Sequence, residues 1–330
     1  MIEKYYSGVI EQIYNRIGKE TRNIVMANYS NDFSIENLEV IRRYQSNEDN
    51  VFFAYSEFSY NTLIGAYEPF LDIICNMHRR FIGGSFDDFQ KECGVYYLHR
   101  QVLNSYYETG ECFREETVLL NEVAYERRRM TMAIADMLKR LSEVRPLMIV
   151  INRFQMASKS SIETIKYLID NPCASIGIVL GVNALVKGTD STVEVWDRIV
   201  ESLEDRSAIY YIGSAGSLKN NVKTTNDDEL YITMNFEQSI QEASNIMEFL
   251  DFEQAKRGCR IIEHKLKFED AWIDEKSLRR FYMVYARTSV LLGEMSKAIE
   301  LTNEYKALIP ENDSEHYLSL YYFMKGTCYM

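Results

Sequence analysis

Behind Pro146 the chain carries LMIVINRF, residues 147–154, an apolar and largely β-branched run of strand length. Ser158 then stands where a helix N-cap is expected. Ile162, Ile165, Leu168 and Ile169 follow at helical spacing, and Pro172 marks the stop. A second apolar run, IGIVLGV, fills residues 176–182. Strand, helix and strand in this order predict a βαβ unit and hence a parallel sheet. Further runs at 23–29, 50–57, 208–214 and 229–235 read as strands of the same sheet, with helices at 34–46 and 191–205. Their apolar residues are continuous rather than alternating, which predicts burial on both faces.

The stretch 62–145 is helical in pattern, and Leu119, Val123, Met130, Ile134, Met137 and Leu141 form one stripe leading into the strand at 147. After residue 235 strand patterns cease. Five helical segments follow, beginning at Phe236, Phe252, Glu275, Met295 and Ser314. The reading is an α/β domain over 1–235 and a helical region over 236–330. The polar stretch 216–229 reads as a loop.

Composition narrows the function. Among 330 residues, Lys and Arg total 37 against 49 Asp and Glu, a net charge of −12. Such a chain repels nucleic acid unless it carries a local basic face. Arg127-Arg128-Arg129 is the densest basic run, and on a helix its members splay around the axis. No apolar run is long enough to span a membrane, and the N-terminus lacks a secretory h-region. The six cysteines are scattered singly without a CxxC, which argues against zinc and suits a reducing cytoplasm. The four histidines are equally scattered. Asp87-Asp88 and Asp227-Asp228 read as solvated acids, and most of the 24 tyrosines as helix-packing residues with a polar tip.

RPLMIVINRFQMASKSSIETIKYL, from Arg145 to Leu168, resembles the second nucleotide-binding motif of STAND-class AAA+ signalling ATPases. That class includes the maltose-regulon type of activator and adenylate-cyclase-associated ATPases. AYEPFLDII (66–74) and ELYITMNFEQSIQEASNIMEFL (229–250) are similar to two further segments of these proteins, in the right order. The resemblance implies a P-loop-like domain, but its chemical positions depart from the pattern. The family's magnesium-holding acids fall on Asn152 and Arg153. The phosphate loop G-x-x-x-x-G-K-[ST], set after the Ile24 strand, begins at Ala27. Ala27 and Asp32 then replace its glycines, Phe33 replaces its lysine, and only Ser34 matches. The family's arginine after the fourth strand becomes Asn183.

The helical region resembles tetratricopeptide repeats. Gly293, Ala298 and Pro310 follow their small-residue and terminal-proline pattern, and Phe281, Tyr285, Thr288 and Leu292 form the partner face. The last helix reads as the first half of another repeat, as if the array were truncated or packed its end on a partner.

The expected protein is therefore a cytoplasmic, catalytically inactive STAND-type regulatory scaffold, a pseudo-ATPase without cofactor or metal. It would bind a protein, or itself, through its repeats, with Tyr282, Tyr285, Ala298, Tyr305 and Tyr321 as the binding positions. The alternatives are a nucleotide switch that binds ATP and magnesium at a noncanonical site, and a transcriptional regulator whose DNA-binding domain lies outside this chain.

Overall fold

The computed structural model describes residues 2–29, 39–46, 50–59, 63–112, 122–183, 193–212, 235–268, 273–310 and 314–329. They form a mixed α/β protein, mostly helical, built as two compact units. The first comprises residues 1–60, 67–100 and 128–225, and the second 61–66, 101–127 and 226–330.

The first unit opens with α1 (Ile2–Tyr14), β1 (Ile24–Tyr29), α2 (Glu39–Ser46) and β2 (Phe52–Glu57). Next come α3 (Phe70–Met77), a π-helical turn (His78–Ile82) and α4 (Phe86–Glu92). Two helices cross between units, α5 (Tyr97–Thr109) and α6 (Val123–Val144). β3 (Leu147–Asn152), α7 (Lys159–Asp170), β4 (Ile176–Asn183), α8 (Val193–Glu204) and β5 (Ile209–Ile212) complete the unit. All pairings are parallel, in the order β2-β3-β4-β1-β5.

The predicted βαβ unit is β3-α7-β4, whose strands are neighbours. Ser158 caps α7, its side chain accepting from the N–H of Ser161. Every residue of β3 and β4 is buried, as their continuous apolar runs predict. The expected strand 147–154 ends at Asn152 because Arg153 takes a left-handed conformation, φ 54°, and opens a 3₁₀ turn, Phe154–Met156. Of the expected stripe, Met130, Ile134, Met137 and Leu141 turn inward from α6, Val123 is half-buried, and Leu119 lies outside the described residues. The strand expected at 229–235, apart from Asn235, and the loop at 216–229 lie outside the described residues.

Tyr6, Ile10 and Ile13 of α1 and Ile41 of α2 pack with Val25, Val150 and Val179 in one core. Two glycines of β4 allow α1 to come this close. A Cβ at Gly177 would meet the Ile17 side chain at 2.8 Å, and one at Gly181 would meet the Tyr6 hydroxyl at 2.4 Å.

The second unit carries α9 (Phe236–Glu248), α10 (Phe252–Phe268), α11 (Glu275–Leu291), α12 (Met295–Ala307) and α13 (Ser314–Tyr329), each packed on its neighbours in sequence. Segments far upstream of 235 are built into it. Asn245 of α9 accepts from the N–H of Cys112 (2.9 Å) and donates to the carbonyl of Gly110 (3.0 Å). Gln254 donates to the carbonyl of Ile64, and a Cβ at Gly258 would strike the Leu63 side chain at 2.7 Å. No described helix is long and apolar enough to cross a membrane.

Candidate functional site

The chain runs from β1 to the far edge at β2, returns through β3 and β4, and then crosses β1 to reach β5. Adjacent strands β4 and β1 thus send their connections in opposite directions, and ligands of open parallel sheets bind outside the strand C-termini at such a switch. Four polar side chains occupy that edge. Tyr29 ends β1, Asn152 ends β3, Asn183 ends β4 and Glu57 ends β2. Register places Tyr29 beside Asn183 and Glu57 beside Asn152.

Three of these groups, Tyr29, Asn152 and Glu57, form one connected network. The Tyr29 hydroxyl donates to Asn152 Oδ1 at 2.6 Å, and Asn152 Nδ2 donates to Glu57 Oε1 at 3.2 Å. The same Glu57 oxygen lies 3.1 Å from the Arg153 guanidinium, with the two side chains only 15% and 20% exposed. Tyr55 donates its hydroxyl to the other Glu57 oxygen. Arg153 also donates to the carbonyl of Phe58, and Gln155 accepts from the N–H of Asn183. The carboxylate can only accept, so the Asn152 amide must turn its NH₂ toward Glu57 and its oxygen toward the phenol.

Tyr6 of α1 closes the network from the helix side, its ring set edge-on to Tyr29 with centroids 6.5 Å apart. Burial, with Tyr29 and Glu57 nearby, holds the Tyr6 phenol well above its usual pKa, so it stays protonated. The bare Cα of Gly181 leaves the space that the Tyr6 hydroxyl and Asn152 Oδ1 occupy.

Of the nucleotide positions named from the sequence, Asn152 and Arg153 join this network, and Asp32, Phe33 and Ser34 lie outside the described residues. Ala27 is not at the exit of its strand. It lies inside β1, buried and paired with Gly181 on one side and Tyr210 on the other, because the ladder continues to Tyr29. Among the described residues no cluster of His, Cys, Asp or Glu could hold a metal ion.

The repeat positions lie apart in sequence and role, in the second unit. Tyr285, Ala298, Tyr305 and Tyr321 are buried, and Tyr282 is half-buried. Tyr285 reaches Glu263 of α10 at 3.5 Å under the ammonium of Lys297, and Tyr321 accepts from Lys325 at 2.9 Å. Helical spacing turns these tyrosines into the seams between helices, so they hold the stack together rather than form its outer face. Tyr322 and Phe323 of α13 point outward, 64% and 60% exposed.

Sequence reasoning missed Glu57, Tyr29, Tyr6 and Gly181. Each is ordinary in its own segment, and only strand register brings them to Asn152. No protein-family model matches this chain, and no curated protein matches it. What the fold and the site define is a mixed α/β protein whose described residues form an all-parallel five-stranded sheet with a connected polar network at its C-terminal edge.

Proposed function

We propose that this chain is a catalytically inactive STAND-type regulatory scaffold, whose α/β unit does not hydrolyse ATP and whose helical unit binds a protein. One observation carries the reading. Asn152, where the resemblance calls for a magnesium-holding acid, is a fully buried neutral amide with both ends engaged, by Tyr29 and by Glu57. A carboxylate is needed there to organise the metal and its water. The neighbouring position adds the Arg153 cation, which is already paired with Glu57. A magnesium ion would have to displace that guanidinium and break the amide's hydrogen bond to the same oxygen. Tyr29, which holds the Asn152 oxygen, ends β1 at the switch between β4 and β1, and this supports descent from a ligand-binding sheet edge.

The test is isothermal titration of the full chain with Mg-ATP, together with a phosphate-release assay. The expected result is no saturable heat and no turnover above buffer. Micromolar binding with measurable release would replace this reading with that of a nucleotide switch, in which Glu57 supplies the carboxylate.

A further inference from the structure

Among the described residues β2 is the outermost strand on its side of the sheet, paired with β3. Its Phe52 N–H points to the carbonyl of Pro146 (2.8 Å), and the N–H of Phe58, just beyond it, points to that of Asn152 (3.2 Å). Strand alternation therefore turns the backbone groups of Phe53 away from β3. Residues 51–56, Phe53 among them, line a cleft of about 350 Å³. Tyr44 of α2 lines one wall, and Asn76, Arg80 and Phe81 of α3 and the π turn line the other.

Arg145, just before β3, projects into this cleft. Its guanidinium lies 4.7 Å from the centre of the Phe81 ring, and Arg80 flanks the same ring at 5.3 Å. The Nε of Arg145 is buried and has no hydrogen-bond partner among the described residues. The outer nitrogens of Arg145, not the buried Nε, are what a ligand can meet, and a guanidinium fixed on an aromatic face is matched there by a carboxylate.

We propose that the β2 edge cleft binds an extended acidic segment of a partner protein, which pairs with β2 through its backbone and sets a carboxylate on Arg145. The strand edge supplies the main-chain recognition, and the cleft walls supply the side-chain selection. The net charge of −12 opposes a polyanion such as nucleic acid, and Asp72 in the same cleft limits the segment to a few acids, with Arg145 and Arg80 as their partners. Edge pairing by a second copy would bring like charges together, Arg145 and Arg80 of each cleft. The proposal stands independently of the nucleotide reading, since it uses a different edge of the sheet.

The test is selection of randomised short linear peptides displayed against the full chain, with the winners measured by fluorescence anisotropy. The expected winners contain Asp or Glu among β-branched residues and lack proline. Arg145→Gln weakens them by about ten- to a hundredfold, the scale of a charge-assisted hydrogen bond. Should that variant fail to fold, Asp72→Asn, an exposed change on α3, serves instead and tightens binding. N-methylation of alternate peptide amides abolishes binding. The proposal is overturned if no peptide is selected, or if the winners lack acids. It is equally overturned if N-methylated or lysine-for-glutamate versions bind as well as the originals.

Discussion

Asn152 shows how much one atom can decide. Its NH₂ meets the Glu57 carboxylate at 3.2 Å. In Asn152→Asp, an oxygen takes that place, and two carboxylates face each other within a buried network. One of them then keeps its proton, with a folded-state pKa above its unfolded value. The cost is absent at low pH, where both states are protonated, and develops as pH rises past about 4, the unfolded carboxylate range. Asn152→Asp should therefore be less stable than the natural chain by about 1–3 kcal/mol at pH 7. The difference should shrink below pH 4, as read by urea unfolding at both values. If magnesium alone restores the lost stability at pH 7, the edge is a latent metal site that lacks only the acid Asn152 replaces. Gly181 makes a second residue-scale case. Gly181→Ala places a methyl 2.4 Å from the Tyr6 hydroxyl and 2.7 Å from Asn152 Oδ1. It should cost about 1–3 kcal/mol by overpacking. Tyr6→Phe, which deletes the nearer atom, should recover part of that loss in the double variant.

At the scale of elements, α12 illustrates a packing constraint. Ala298 is fully buried, and α12 packs against α11 and α13. The turn between α11 and α12 uses Gly293 at φ 76°, a conformation that suits glycine. Ala298→Leu adds volume where there is none to fill, and should cost about 1–3 kcal/mol. The damage should stay local, because stacked helices contact mainly their neighbours. Hydrogen exchange should quicken in α11 to α13 while β3 and β4 remain protected. Unchanged exchange throughout would show that these helices do not depend on close approach.

Across the whole molecule, the informative feature is that the second unit is assembled from three stretches of chain. Residues 236–330 alone lack Gly110 and Cys112, the partners of Asn245, and Leu63, which packs on Gly258. Asn245 is buried, so losing these two partners leaves its NH₂ without an acceptor, and only Gln241 of the same helix still donates to its oxygen. A fragment of residues 236–330 should therefore melt below the helical transition of the full chain and with less cooperativity, as followed by circular dichroism. A fragment with an equally sharp and equally high transition would make the upstream segments dispensable.

The sequence by itself determined the elements whose causes are local. Continuous apolar runs made β3 and β4 legible because strands buried on both faces carry no polar alternation. Ser158 marked the start of α7 because capping is settled within a single turn. The stripe Met130, Ile134, Met137 and Leu141 marked the buried face of α6 through its spacing alone. Asn152 and Arg153 were also visible, as departures from a resembled motif. Tertiary structure decided what depends on register and approach. Strand order placed β4 between β1 and β3, so that Tyr29 and Glu57 meet Asn152 from segments 123 and 95 residues away. Helix docking turned Tyr285, Tyr305 and Tyr321 into the seams, although their tips are polar enough for an outer face. The same docking drew residues 61–66 and 101–127 into the helical unit. Local pattern reports which face of an element is apolar, but the partner of that face is chosen only when the elements pack.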